Sequence, residues 1–142
     1  MFETFDLEPF EKAIKTLDEV VERYKQDDSL FIRDSLVQRF EYNYELAYKF
    51  LRRYLMETEP NTDEIREYHY FDIIRLGLVR GILKKEPKDW DNYRKARNKT
   101  SHTYGFEHAA LAVDVAEEFL AEIKFLLSEL KKRIEKEKLC EM

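Results

Sequence analysis

Apolar residues recur every three or four positions along almost the whole chain, and glycine and proline, three of each in 142 residues, hardly interrupt them. That spacing lays an apolar stripe on one face of a helix and leaves no long run of the strict alternation a half-buried strand requires. Leu7, Phe10, Ile14, Leu17, Val20, Val21 and Tyr24 predict a first helix over about residues 6–26, with Asp6 as N-cap and Pro9 in the first turn. The polar break at Gln26-Asp27-Asp28-Ser29 ends it, and Ser29 caps a second helix over about 30–58 that carries Leu36, Val37, Phe40, Tyr44, Ala47, Leu51, Tyr54 and Leu55. Phe31, Tyr42, Tyr48 and Phe50 widen that stripe, so this helix expects more than one neighbour, from a thick internal core or from a second copy of the chain.

A third, shorter helix is predicted over about 63–81, capped by Thr62 or Asp63, with Ile65, Tyr68, Phe71, Ile74 and Leu78 inward and Gly77 and Gly81 weakening its end. Lys84 to Lys88, with Pro87, reads as a connector, and Asp89 as the cap of a fourth helix holding Trp90, Tyr93, Ala96 and Arg97. The last and longest helix, about 107–138, has Ala109, Val113, Ala116, Leu120, Ile123, Leu127, Leu130 and Ile134 on its buried face and a charged tail from Lys131 expected to fray. The expected fold is all-α: one domain over 1–142, an antiparallel up-and-down bundle of four main helices with an additional short one.

The composition, 44% apolar and 39% charged, suits helices with charged outer faces and excludes a disordered chain. The net charge of −5 hides an uneven distribution. Between Arg80 and His102 eight Lys or Arg face three acids, a net +5, which leaves −10 on the rest of the chain. A local cationic window suits a phosphate-bearing ligand, and equally a solvated helix face. The single Cys140 has no internal partner, which points to a reducing compartment. Met1 to Asp6 carry no basic and apolar leader, and no run approaches the roughly 18 apolar residues of a membrane helix, so a cytoplasmic location without membrane association is expected.

The chemistry-bearing stretch is Arg97-Asn98-Lys99-Thr100-Ser101-His102-Thr103-Tyr104, an Arg-x4-His-x-Tyr pattern with Asn directly after the Arg. On one straight helix Asn98 and His102 share a face, as do Arg97 and Tyr104, whereas Arg97 and His102 diverge by about 140°. Convergence of Arg and His needs either a helix that bends or ends before His102, or two copies meeting across a two-fold axis. His titrates near neutral pH and can move a proton, and Arg offers a permanent planar charge to a phosphate. Both suit cleavage of an RNA phosphodiester by its own 2′-hydroxyl, which needs no metal. A lone His near a helix end also serves commonly as a capping or core residue. The Glu-x-x-His spacing of di-iron bundles, a Gly-rich phosphate loop and Cys/His zinc spacing are missing, so no cofactor or metal is expected. His69 and His108 read as structural or exposed, and Trp90 and Tyr93 as core residues rather than base-stacking platforms.

Two segments together carry a family resemblance: Arg39-Phe40-Glu41-Tyr42-Asn43-Tyr44-Glu45-Leu46-Ala47-Tyr48-Lys49 and the Arg97–Tyr104 stretch. In order and spacing they resemble the two signatures of the nucleotidyltransferase substrate-binding proteins, the HepT-type toxins of the HEPN superfamily. The resemblance spans nearly the whole chain and is least distinct over residues 63–81. It implies a helical homodimer whose Arg-x4-His motifs face a shared cleft, and a metal-independent endoribonuclease acting on tRNA or mRNA as the toxin of a type VII-like toxin–antitoxin pair. Arg97 and His102 carry over as the catalytic pair and Asn98 as the residue that orients them. Tyr104 matches the tyrosine that a partner nucleotidyltransferase antitoxin modifies with AMP to silence the toxin. The older family name implies an alternative, a non-catalytic subunit that presents substrate to a separate nucleotidyltransferase.

Overall fold

The computed structural model describes the backbone of residues 5–102 and 106–141, and the side chains of residues 5–98 and 109–137. Six helices follow one another: α1 (Glu8–Gln26), α2 (Leu30–Thr58), α3 (Thr62–Arg66), α4 (Tyr70–Val79), α5 (Pro87–His102) and α6 (Phe106–Glu141). No strand occurs among the described residues.

Local chemistry sets most boundaries where the sequence places them. The Ser29 hydroxyl accepts from the Ile32 N–H at 3.3 Å and opens α2, and Pro60 lies just past its end. At the head of α1 the Asp6 carboxylate accepts from the Glu8 N–H at 3.0 Å, although the formal N-cap is Leu7. The expected third helix is two helices. Its first turn closes at Glu67, and the chain restarts at His69, whose N–H donates to Asp72 Oδ2 at 3.1 Å. The restart resets the helical phase, so Ile73 joins Ile65 and Ile74 in the core while Tyr68 and Phe71 are only half-buried. Neither Thr62 nor Asp63 caps α3: the N-cap is Asn61, and the Thr62 hydroxyl donates to the Met56 carbonyl at 3.1 Å.

Gly81 ends α4 rather than merely weakening it. With φ +79° it takes the left-handed position after the C-cap, and the Ile82 N–H reaches the Gly77 carbonyl (3.0 Å) while the Gly81 N–H reaches that of Leu78 (3.0 Å). Gly77 serves a different purpose, lying buried in the helix where an added Cβ would meet Leu83 and Leu51 side chains at 2.9 and 3.1 Å. Helix α5 starts three residues earlier than a cap at Asp89 would set it, with Pro87 as its first residue and Asp89 accepting from the Glu86 N–H at 3.2 Å. Helix α6 continues through the charged tail to Glu141.

Ion pairs report the direction of packing. Lys25–Glu117 (3.4 Å), Asp18–Lys124 (2.9 Å) and Glu11–Lys131 (2.6 Å) pair ascending residues of α6 with descending residues of α1, so the two run antiparallel. Trp90 with Glu122 and Tyr93 with Phe119 set α5 antiparallel to α6 in the same way. Helices α1, α2, α5 and α6 thus form an up-and-down bundle, with α3 and α4 laid beside α2 and α5. The core is aromatic: Phe10 stacks on Phe50 (centroids 5.7 Å apart), Phe40 meets Phe119 edge-on (4.9 Å), and Trp90 and Tyr93 close the α5 side. Each such pair adds roughly 0.5–1.5 kcal/mol beyond the burial of its area. Phe50 is thereby accounted for by α1, and Tyr48 by Tyr70 of α4 (5.1 Å), so two of the four residues that widen the α2 stripe serve the internal core. The other two, Phe31 (87% exposed) and Tyr42 (53%), remain uncovered.

Candidate functional site

Helix α5 carries the polar stretch as far as His102. Its start is held by a buried carboxylate: Glu122 of α6, 2% exposed, accepts from the Lys84 N–H (3.0 Å), the Lys85 N–H (2.9 Å) and Trp90 Nε1 (2.9 Å). Three donors on one buried carboxylate satisfy both the charge and the backbone of the α4–α5 connector. Trp90, Tyr93 and Ala96 then face inward, fully or almost fully buried, as expected for core residues. Their burial fixes the rotation of α5, which turns Arg94, Arg97 and Asn98, spaced i, i+3 and i+4, to the outer side together.

The structure brings Arg97 and Asn98 into contact. Arg97 Nη1 donates to Asn98 Oδ1 at 3.3 Å, and Nη2 forms an ion pair with Glu45 Oε1 of α2. The Arg97 side chain is about one-third exposed (32%) and that of Glu45 more so (54%), so the pair is screened and exchangeable. Tyr44 lies next to Glu45 in sequence and is buried, and burial pushes its hydroxyl up to about 12, against the lowering influence of its hydrogen bond with Tyr70 and of Arg94 and Arg97. The Tyr70 hydroxyl donates to the Trp90 carbonyl at 3.2 Å and is also pushed well above its ordinary range, first by burial and then by Tyr44. Both phenols are therefore neutral hydrogen-bonding groups at neutral pH.

Helix α5 runs unbroken through His102, so it does not end before that residue. The His102 side chain, and Tyr104 altogether, lie outside the described residues. Among the described residues no group of His, Cys, Asp and Glu is arranged to hold a metal ion, and no helix is long and apolar enough to cross a membrane. His69 is exposed at the head of α4, a structural position; the side chains of His108 and Cys140 are not described. A cleft of about 560 Å³ between α1, α2 and α6, lined by Val21, Tyr24, Leu36, Val113 and Ala116 among others, contains none of these α5 residues.

Residues 5–132 match the family described as nucleotidyltransferase substrate binding protein like. The chain belongs to this family. A Haemophilus influenzae (strain Rd) member named Probable ribonuclease HepT is 40% identical over 106 residues, 72% of each chain. A solved Haemophilus influenzae structure, presented as the fold of a substrate binding domain of a nucleotidyltransferase, superposes with a TM-score of 0.81 at 32% identity, covering 89% of this chain and 99% of the other. A Thermus thermophilus crystal structure gives a TM-score of 0.71 at 30% identity over 85% and 98% of the two chains. This family member therefore shares its all-helical fold with both.

At Arg97 the second signature segment reaches the first. Arg97 from the second meets Glu45 from the first, and Tyr44 packs on Trp90 with centroids 6.3 Å apart. Glu122, Glu45 and Arg94 are absent from the residues that sequence reasoning singles out. Glu122 had a signal, an acid three residues from the buried Phe119 and so on the core-facing phase of α6. Glu45 stood inside the quoted α2 segment without a partner to give it meaning.

Proposed function

We propose that this chain is a metal-independent endoribonuclease that works as a homodimer, the toxin of a toxin–antitoxin pair whose other member is a nucleotidyltransferase. The observation that carries it is the Arg97 guanidinium, hydrogen-bonded to Asn98 and engaged with an exposed carboxylate, Glu45, that an incoming phosphate can replace. The family relative named as a ribonuclease supports the same reading. In the step proposed, the 2′-oxygen of RNA attacks the adjacent phosphorus and the bond to the 5′-oxygen breaks, leaving a 2′,3′-cyclic phosphate and a 5′-hydroxyl. Arg97 stabilises the charge that builds on the phosphoryl oxygens, and His102 takes the 2′-hydroxyl proton or supplies one to the 5′-oxygen.

The two-fold arrangement answers the divergence of Arg97 and His102 along a single helix. Tyr42 lies three residues before Glu45, on the same side of α2, and is exposed, as are Leu30 and Phe31 nearer the start of that helix. A second copy laid on this face covers those side chains and sets two α5 strips opposite each other. Silencing by AMP on Tyr104 fits the same place, since it adds bulk and negative charge two residues beyond His102.

A second reading, a substrate-presenting subunit without catalysis, is favoured by the relation to a structure presented as a nucleotidyltransferase's substrate binding domain. Cleavage of total RNA in chelator separates the two. The native chain is expected to cut and His102→Ala to lose roughly a hundredfold or more in rate, the scale of general acid–base catalysis, while both have the native mass of a dimer. RNA left whole by the native chain with Tyr104 unmodified overturns the ribonuclease reading in favour of the second.

A further inference from the structure

One turn before Arg97 stands Arg94, exposed and on the same side of α5. Its guanidinium carbon lies 4.8 Å from the ring centroid of Tyr70 and 6.0 Å from that of Phe71, both of α4. Among the described residues no carboxylate forms an ion pair with it. Asp91 takes Lys95 (3.0 Å), Glu45 takes Arg97, Asp89 takes the Glu86 N–H (3.2 Å), and Asp72 takes Arg75 (3.5 Å) and the His69 N–H (3.1 Å). The platform beneath Arg94 is rigid: Tyr70 is fastened by its hydroxyl to the Trp90 carbonyl (3.2 Å) and packs against Tyr48 (5.1 Å).

We infer that Arg94, seated on Tyr70 and Phe71, is a second nucleotide-binding position for single-stranded RNA beside Arg97, taking the phosphate and base of a flanking nucleotide. An arginine held against an aromatic ring keeps its in-plane N–H groups for a phosphate and its outer face for a stacked base. With its charge unneutralised it attracts a polyanion, and α5 sets it one helical turn from Arg97. The edge of α4, where the family resemblance is least distinct, becomes the wall that sets which nucleotide sits next to the cleaved bond.

The inference rests on the ribonuclease reading for its ligand, and the test keeps the two apart. Binding of a short fluorescein-labelled single-stranded RNA to the full chain with His102→Ala, at several salt concentrations, is compared with the same chain carrying Arg94→Ala or Arg94→Lys; cleavage kinetics are compared in the His102 chain. Arg94→Ala is expected to weaken binding roughly tenfold and to flatten the salt slope by about 0.7, one lost phosphate contact on a single strand. KM for cleavage should rise in parallel with kcat little changed. Arg94→Lys should keep the slope and still bind several-fold more weakly, since a compact ammonium does not stack. Native affinity, slope and KM in Arg94→Ala, from a chain that binds and cuts RNA, overturn the inference alone. RNA bound but not cut by the native chain sinks the ribonuclease reading and leaves the inference to the binding comparison. RNA neither bound nor cut overturns both.

Discussion

At the scale of single residues, Glu122 is one of two polar residues buried in the described structure, the other being Asn43. A carboxylate in a core is ordinarily unfavourable, and here three N–H donors offset its lost hydration. Glu122→Gln keeps the shape but turns an N–H2 toward one of those donors, and should cost roughly 1–3 kcal/mol. Glu122→Ala strands all three donors and should cost more, roughly 3 kcal/mol or above at about 1–3 kcal/mol for each unsatisfied group. Urea unfolding checks this, with the midpoint expected to fall in that order; a Gln variant as stable as the native chain would refute the clamp. Such a residue is hard to read from sequence because its partners are 32 to 38 positions away and two of them are backbone groups without a residue signature. The contact between Arg97 and Asn98 is of the opposite kind, a local one between sequence neighbours. Glu45 shows the limit between these cases, a surface acid until α5 is packed beside it.

At the scale of elements, boundaries were legible wherever one local signal decides them, and the helix-to-helix phase was not. Ser29 and Pro60 bracket α2 through capping and backbone restriction, both acting within a few residues. The α3–α4 break has no proline or glycine in it, and the apolar spacing across it continues well enough to suggest one helix. The restart depends on Asp72 capping from inside the next helix and on Tyr70 reaching the Trp90 carbonyl, and the second of these exists only once α5 is in place. The far end of α4 is local again. Gly81 sits at φ +79°, and a Cβ there would touch only Arg133 Nη2 at 3.4 Å, so a side chain is resisted by backbone strain rather than crowding. Gly81→Ala should therefore destabilise by roughly 1–2 kcal/mol, read as a lower thermal midpoint with unchanged helical circular dichroism. An unchanged midpoint would mean that α4 ends in another way.

The whole molecule is a tyrosine-rich helical bundle, and its response to alkali follows from where those tyrosines lie. Burial is the first cause that raises Tyr44, to about 12, and it raises Tyr70 and Tyr93 further still. In the unfolded chain the same phenols titrate near about 10. The sign follows from proton counting. Above about pH 10 the unfolded chain releases protons that the folded chain keeps, so ionisation draws the equilibrium toward unfolding. The stability these hydroxyls contribute is fully present below that pH and is lost as pH rises toward about 12. Tyr44 alone accounts for roughly 2–3 kcal/mol of that loss, at about 1.4 kcal/mol for each unit of displacement. Absorbance at the tyrosinate band, followed beside near-ultraviolet circular dichroism, should show a late ionisation of Tyr44, Tyr70 and Tyr93 that coincides with unfolding. These three phenols ionise together, cooperatively, as the bundle opens and the tertiary signal collapses. All tyrosines titrating in one ordinary step under an undisturbed tertiary spectrum would show that Tyr44, Tyr70 and Tyr93 are hydrated, and the packing of α4 and α5 against α2 would then have to be redrawn.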